Sequence, residues 1–123
     1  MHNQGGPFHG NVAEYERVGL IRTRALGDLL AQHLGRNIAV MMRGHGITTA
    51  STDVRTATIA AVFLEESASL QLQMLAAAGG NATKIRAYTR EEAERVSDQL
   101  GPAGVRRAWE YYAAVAGERP IGG

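Results

Sequence analysis

The sequence predicts an α/β fold, and three observations carry that prediction. Two short apolar runs, residues 38–42 and 47–50, flank a glycine-rich turn and read as paired strands. A long helical stripe follows them, with Ala57, Ala61, Leu64, Ala68, Leu72 and Leu75 recurring at steps of three and four. Further helical segments with readable start and stop signals lie on either side.

Residues 1–19 read as irregular or short extended structure, because Gly5, Gly6, Pro7 and Gly10 cluster there. Residues 23–34 read as a helix. Thr23 can cap it, Ala25, Leu26, Leu29, Leu30 and Leu34 supply an apolar stripe, and Gly35 ends it. Residues 38–42 then form a buried strand, Arg43-Gly44-His45-Gly46 a turn, and residues 47–50 a second strand. Asp53 can cap the long helix, which Gly79-Gly80 stops. Thr89 and Glu92 have capping-box spacing and open a third helix that Gly101-Pro102 breaks. Residues 105–116 read as a fourth helix carrying Trp109, Tyr111 and Tyr112, and residues 117–123 as a polar tail.

A chain of 123 residues is one domain or part of one, and 45% hydrophobic with 20% charged residues is ordinary for a globular protein. The formal net charge of +1 is too weak to argue for nucleic acid or an anionic membrane, which require a concentrated basic face. The absence of cysteine excludes disulfides, thiolate metal sites and cysteine nucleophiles, and fits a reducing compartment. No apolar run approaches the roughly 18 residues that span a bilayer. The first residues contain no apolar core of a secretory signal, so the cytoplasm is the expected location.

Chemistry centres on His45. A histidine between two glycines at the end of two strands can project into a cleft, where a neutral ring nitrogen can ligate a divalent metal. It can equally be a hairpin histidine that caps a backbone group. Arg43 can grip a substrate carboxylate with its planar fork, or be a surface residue beside a turn. Glu65 falls within the long helix and reaches either the site or an arginine. His9 lies in a glycine-rich loop, open to a cleft or to solvent, and His33 suits a helix C-terminus as a structural residue. Trp109, Tyr111 and Tyr112 read as packing or a subunit interface.

The order Met42-Arg43-Gly44-His45-Gly46, Asp53-Val54, Ala57, Leu64-Glu65 and Ala68 resembles the class II aldolase/adducin family. Leu26-Gly27 and Leu34-Gly35 before it, and Trp109-Glu110-Tyr111-Tyr112 after it, fit the same pattern. The resemblance implies a three-layer α/β/α sandwich around a mostly antiparallel sheet. It also implies a divalent ion, Zn²⁺ with Mn²⁺ as the alternative, held by three histidines, of which His45 matches the last. The paired histidines of a His-x-His motif, and the acidic residue before them, are expected upstream of Met1, since no His-x-His occurs in this sequence. Residues 1–123 are therefore expected to be the C-terminal part of such a domain, either truncated or a degenerate remnant.

His2 matches a position where family members carry a histidine near the site, and it is a candidate for proton handling; a frayed terminal residue is the other reading. Asn3 stands where the family's aldolases carry a proton-donating tyrosine, which favours a decarboxylase-type member. The resemblance thus implies a carbon–carbon lyase acting on a small hydroxy-acid or sugar-derived molecule, working as a homo-oligomer, commonly a tetramer. A non-catalytic interaction module like the adducin head is the alternative.

Overall fold

The computed structural model describes residues 3–117. A 3-10 segment, Asn3–Phe8, leads into β1 (Val12–Tyr15), α1 (Arg24–Leu34), β2 (Ala39–Met42), β3 (Gly46–Thr49) and α2 (Val54–Ala77). Then come α3 (Arg90–Arg95), a 3-10 segment at Ser97–Leu100 and α4 (Pro102–Val115). The sheet order is β1-β2-β3. β1 pairs with β2 in parallel, Val12 beside Ala39 through Tyr15 beside Met42, while β2 and β3 form an antiparallel hairpin with Met42 opposite Gly46. A parallel pair needs a crossover, and α1 supplies it.

Alternation along the strands divides the side chains between two faces. Tyr15, Val40 and Met42 point to one face, where Leu29, Leu30 and Leu34 of α1 cover them with Ile21. Val12 and Ala39 point to the other face, under Ile59, Ala60, Phe63 and Leu64 of α2, with Phe8 and Val105 of α4 completing the cluster. These are the three layers expected from the resemblance. Among the described strands one ladder is parallel and one antiparallel. The sequence left residues 12–15 as short extended structure without a partner, because a parallel pairing across a helix has no local signal.

Both long-helix caps form as read. Thr23 Oγ1 accepts from the Leu26 N–H at 3.3 Å, and Asp53 Oδ1 accepts from the Thr56 N–H at 2.9 Å. Thr49 Oγ1 donates to the Ala57 carbonyl at 2.9 Å and ties β3 to the start of α2. The buried face of α2 differs from the predicted stripe. Ile59, Ala60, Phe63 and Leu64 are buried, whereas Ala68 is exposed and Leu72 is 67% exposed. Large Ile59 and Phe63 set the contact face, and farther along the helix Leu70 and Leu72 are exposed.

Toward the C-terminus, Thr89 and Glu92 make the predicted reciprocal capping box. The helix that follows is only Arg90–Arg95, and the chain tightens into a 3-10 segment before Gly101. α4 begins at Pro102 rather than at residue 105, since proline at the first helical position loses no hydrogen bond and presets φ. Gly6 packs so closely on the α3 exit that a Cβ there would lie 2.5 Å from Val96 Cγ2 and 2.9 Å from its carbonyl oxygen.

Candidate active site at the hairpin tip

The β2–β3 turn places His45 at one end of the sheet. The His45 N–H donates to the Met42 carbonyl at 3.0 Å, closing the turn. Gly44 has φ 68° and Gly46 φ 127°, both in the region that favours glycine. A Cβ at either position would meet nothing within 4 Å beyond its chain neighbours. The two glycines are therefore required by backbone conformation. The His45 side chain is exposed at this tip.

Arg43 is placed by the parallel ladder. Its N–H donates to the Tyr15 carbonyl at 3.0 Å, which sets the residue after β1 beside the residue after β2. Arg43 Nη1 lies 3.7 Å from Glu16 Oε2, with the side chains 67% and 74% exposed. A pair so exposed contributes about 0–1 kcal/mol, so an incoming carboxylate can displace Glu16 with little loss. Glu16 was not anticipated, because its proximity follows from the β1–β2 register.

Beside the tip, Met41 and Ile47 face each other across the hairpin on the α2 side of the sheet and are 50% and 38% exposed. The tip thus joins one imidazole, one weakly engaged guanidinium and an apolar shoulder.

The remaining candidates lie elsewhere. His2 falls outside the described residues. His9 is exposed on a cavity of about 280 Å³ that it lines with Asn11, Arg90, Glu94 and Ser97. His33 Nδ1 lies 2.9 Å from the Leu29 carbonyl and its ring meets Tyr15 edge-on at 5.1 Å, a structural role as read. Glu65 is exposed, and it is the neighbouring Glu66 that is engaged, accepting a short hydrogen bond from the Tyr112 hydroxyl. That bond to a carboxylate pushes the Tyr112 pKa up to about 12, with burial adding to it. Trp109 is partly buried in the core cluster and Tyr111 is 62% exposed.

A catalytic zinc site normally draws three ligands from the protein. Among the described residues no group of three His, Asp or Glu side chains comes together to hold an ion. His45 can supply one ligand, and the described residues alone do not make up a donor set.

The sequence matches the family Class II Aldolase and Adducin N-terminal domain over residues 2–72, more than half of the chain and inclusive of the hairpin tip. The chain belongs to this family. Class II aldolase relatives include the 3,4-dihydroxyphthalate decarboxylase of Terrabacter sp. (strain DBF63), 36% identical over 73 residues, a match covering 59% of this chain and 30% of that protein. The protein of the same name from Arthrobacter keyseri is 29% identical over 102 residues, covering 83% of this chain and 40% of the relative. A crystal structure of an aldolase II superfamily protein from Pseudomonas syringae superposes with a TM-score of 0.70 at 23% identity, covering 93% of this chain and 46% of that one. That likeness shows the fold. The chain spans less than half the length of each of these proteins.

Proposed function

We propose that this chain carries the His45-bearing, C-terminal part of a carbon–carbon lyase site, and that the reaction is decarboxylation of a small hydroxylated carboxylic acid. The observation that carries the reading is the position of His45, exposed at the tip of the β2–β3 hairpin inside the segment that matches the family. Class II aldolases generally use a divalent metal, Zn²⁺ or Mn²⁺ in this reading, and His45 is one ligand of it. When bound, such an ion supplies Lewis-acid stabilisation of negative charge on oxygen. The other ligands lie outside the described residues.

The chain's own residues have assignable tasks. Arg43 holds a substrate carboxylate, exchanging Glu16 for it, and the guanidinium fork suits that geometry. His2 is the candidate for returning a proton to the carbon that loses CO₂. Asn3 favours decarboxylation over aldol cleavage, because an amide neither gives nor takes a proton near neutral pH where a phenol can. The relatives named as decarboxylases agree with this preference.

A small-molecule substrate, a homo-oligomer and a cytoplasmic working place belong to the same proposal. For oligomerisation the supporting observation is apolar exposure. Leu70 and Leu72 on α2, and Tyr111 and Val115 on α4, stand uncovered on the single chain. The same surface favours a second reading, a non-catalytic adducin-like interaction module. No helix among the described residues is long and apolar enough to cross a membrane.

The deciding experiment joins the N-terminal portion of the Terrabacter decarboxylase to this chain and assays the chimera with Zn²⁺ or Mn²⁺. Hydroxylated carboxylic acids and phosphorylated sugars form the substrate panel. CO₂ release that disappears in His45→Ala supports the proposal. A folded chimera that releases no CO₂ from any acid, or one that cleaves sugar phosphates and is indifferent to Asn3→Tyr, refutes it.

A further inference from the structure

The far end of the hairpin from His45 holds a second concave site. Just after β3 the chain passes Ser51 and Thr52 and enters α2, and the Leu100–Pro102 corner leads into α4 alongside it. Between them lies a cavity of about 440 Å³, within the size range of small-molecule pockets. Its walls differ in character. Leu100, Pro102 and Val105 supply apolar lining, and Arg55 and Arg106 are the two cationic residues of the wall.

The two arginines are differently held. The Arg55 guanidinium carbon lies 5.7 Å from the centroid of the Trp109 ring, a cation–π contact that fixes its direction. Arg106, one helical turn from Pro102, makes no ion pair among the described residues. The one acid in the wall, Asp53, has both carboxylate oxygens committed to Thr56, at 2.9 Å to its N–H and 2.6 Å to its hydroxyl. The lining therefore carries a net charge of +1, with a committed carboxylate, an Arg106 that makes no ion pair among the described residues, and three apolar residues.

The geometry points to a binding site for a small organic anion with an apolar body, its carboxylate at Arg106 and Arg55 and its hydrocarbon part against Leu100, Pro102 and Val105. An aromatic monocarboxylate meets both demands. This site is independent of the His45 chemistry, since it lies at the opposite end of β3 and shares no residue with the hairpin tip.

The test is a titration of the ¹⁵N-labelled chain with benzoate, acetate and inorganic phosphate in turn. Trp109 is the sole tryptophan, so its indole N–H is an unambiguous reporter beside Arg55. Benzoate is expected to move that resonance and the amides of the first turn of α4 saturably. Acetate, which keeps the charge and lacks the ring, is expected to bind about tenfold or more weakly, and Arg106→Gln to weaken benzoate by about tenfold, the size of one charge-assisted contact. Arg17→Gln, on an exposed loop, is the control and leaves the benzoate curve unchanged. The proposal is overturned if benzoate gives no saturable shift, if acetate or phosphate binds as well as benzoate, or if Arg106→Gln, with a folded spectrum, binds benzoate like the parent chain.

Discussion

Replacing Gly46 by alanine separates backbone demand from side-chain crowding at the hairpin tip. Gly46 pairs with Met42 at the last rung of the β2–β3 ladder and has φ 127°. A Cβ there meets no atom within 4 Å beyond its two chain neighbours, so no contact with the rest of the fold enters the estimate. What remains is the conformational cost, about 1–3 kcal/mol for a non-glycine residue held in so sparsely populated a region. Gly44, at φ 68°, sits near the left-handed helical minimum that asparagine tolerates, so Gly44→Asn is expected to cost about 1 kcal/mol or less. Urea unfolding of the two variants and the parent gives the stabilities, and the His45 amide resonance reports whether the turn is kept. The expected order is parent, then Gly44→Asn, then Gly46→Ala, with the His45 amide shifted most in the last. A neutral Gly46→Ala with an unmoved His45 amide would refute the claim that glycine is needed here for φ.

Three further outcomes follow from the packing and the charges. Phe63, buried between the sheet and α4, is expected to lose about 3–5 kcal/mol of stability as Phe63→Ala, measured by denaturant unfolding, whereas Leu72→Ala on the exposed half of α2 stays within about 0.5 kcal/mol. The raised Tyr112 pKa means that its contribution is fully present below the ordinary tyrosine value of 10.0 and is lost as pH rises through about 12; thermal melts between those values should show a loss that Tyr112→Phe removes. Asp53 is held below its ordinary value by the Thr56 hydroxyl and N–H, so its cap persists above pH 3.8 and is lost as pH falls through its lowered pKa; helical signal at the start of α2 should fade there in the parent and be lower at neutral pH in Asp53→Ala.

What the sequence made legible was local. The hairpin, the caps at Thr23, Asp53 and Thr89, and the stop at Gly35 each depend on residues within a few positions of one another, and each forms as read. Most of the features that were not legible depend on distant partners. β1 joins the sheet only through its parallel register with β2, and Glu16 meets Arg43 by the same register. The Glu66–Tyr112 bond links α2 to α4, so nothing near Glu65 or Glu66 distinguishes the exposed carboxylate from the engaged one. The predicted stripe on α2 weighed alanines equally with larger residues, while the volume of Ile59 and Phe63 decided which face the sheet receives. At the candidate site, the place of His45 was legible from its flanking glycines. Its chemical partners were not, since a metal centre gathers ligands from separate parts of a fold.

The central claim, that His45 is a ligand at this site, is tested most directly by titrating the chain with Zn²⁺ while following its imidazole resonances by NMR. With one assigned ligand, binding should be weak, with a dissociation constant on the order of 1 mM or about −4 kcal/mol. His45 should shift first, and the response should vanish in His45→Ala. A titration in which the His45 imidazole does not move while other histidines take up the ion would contradict the account.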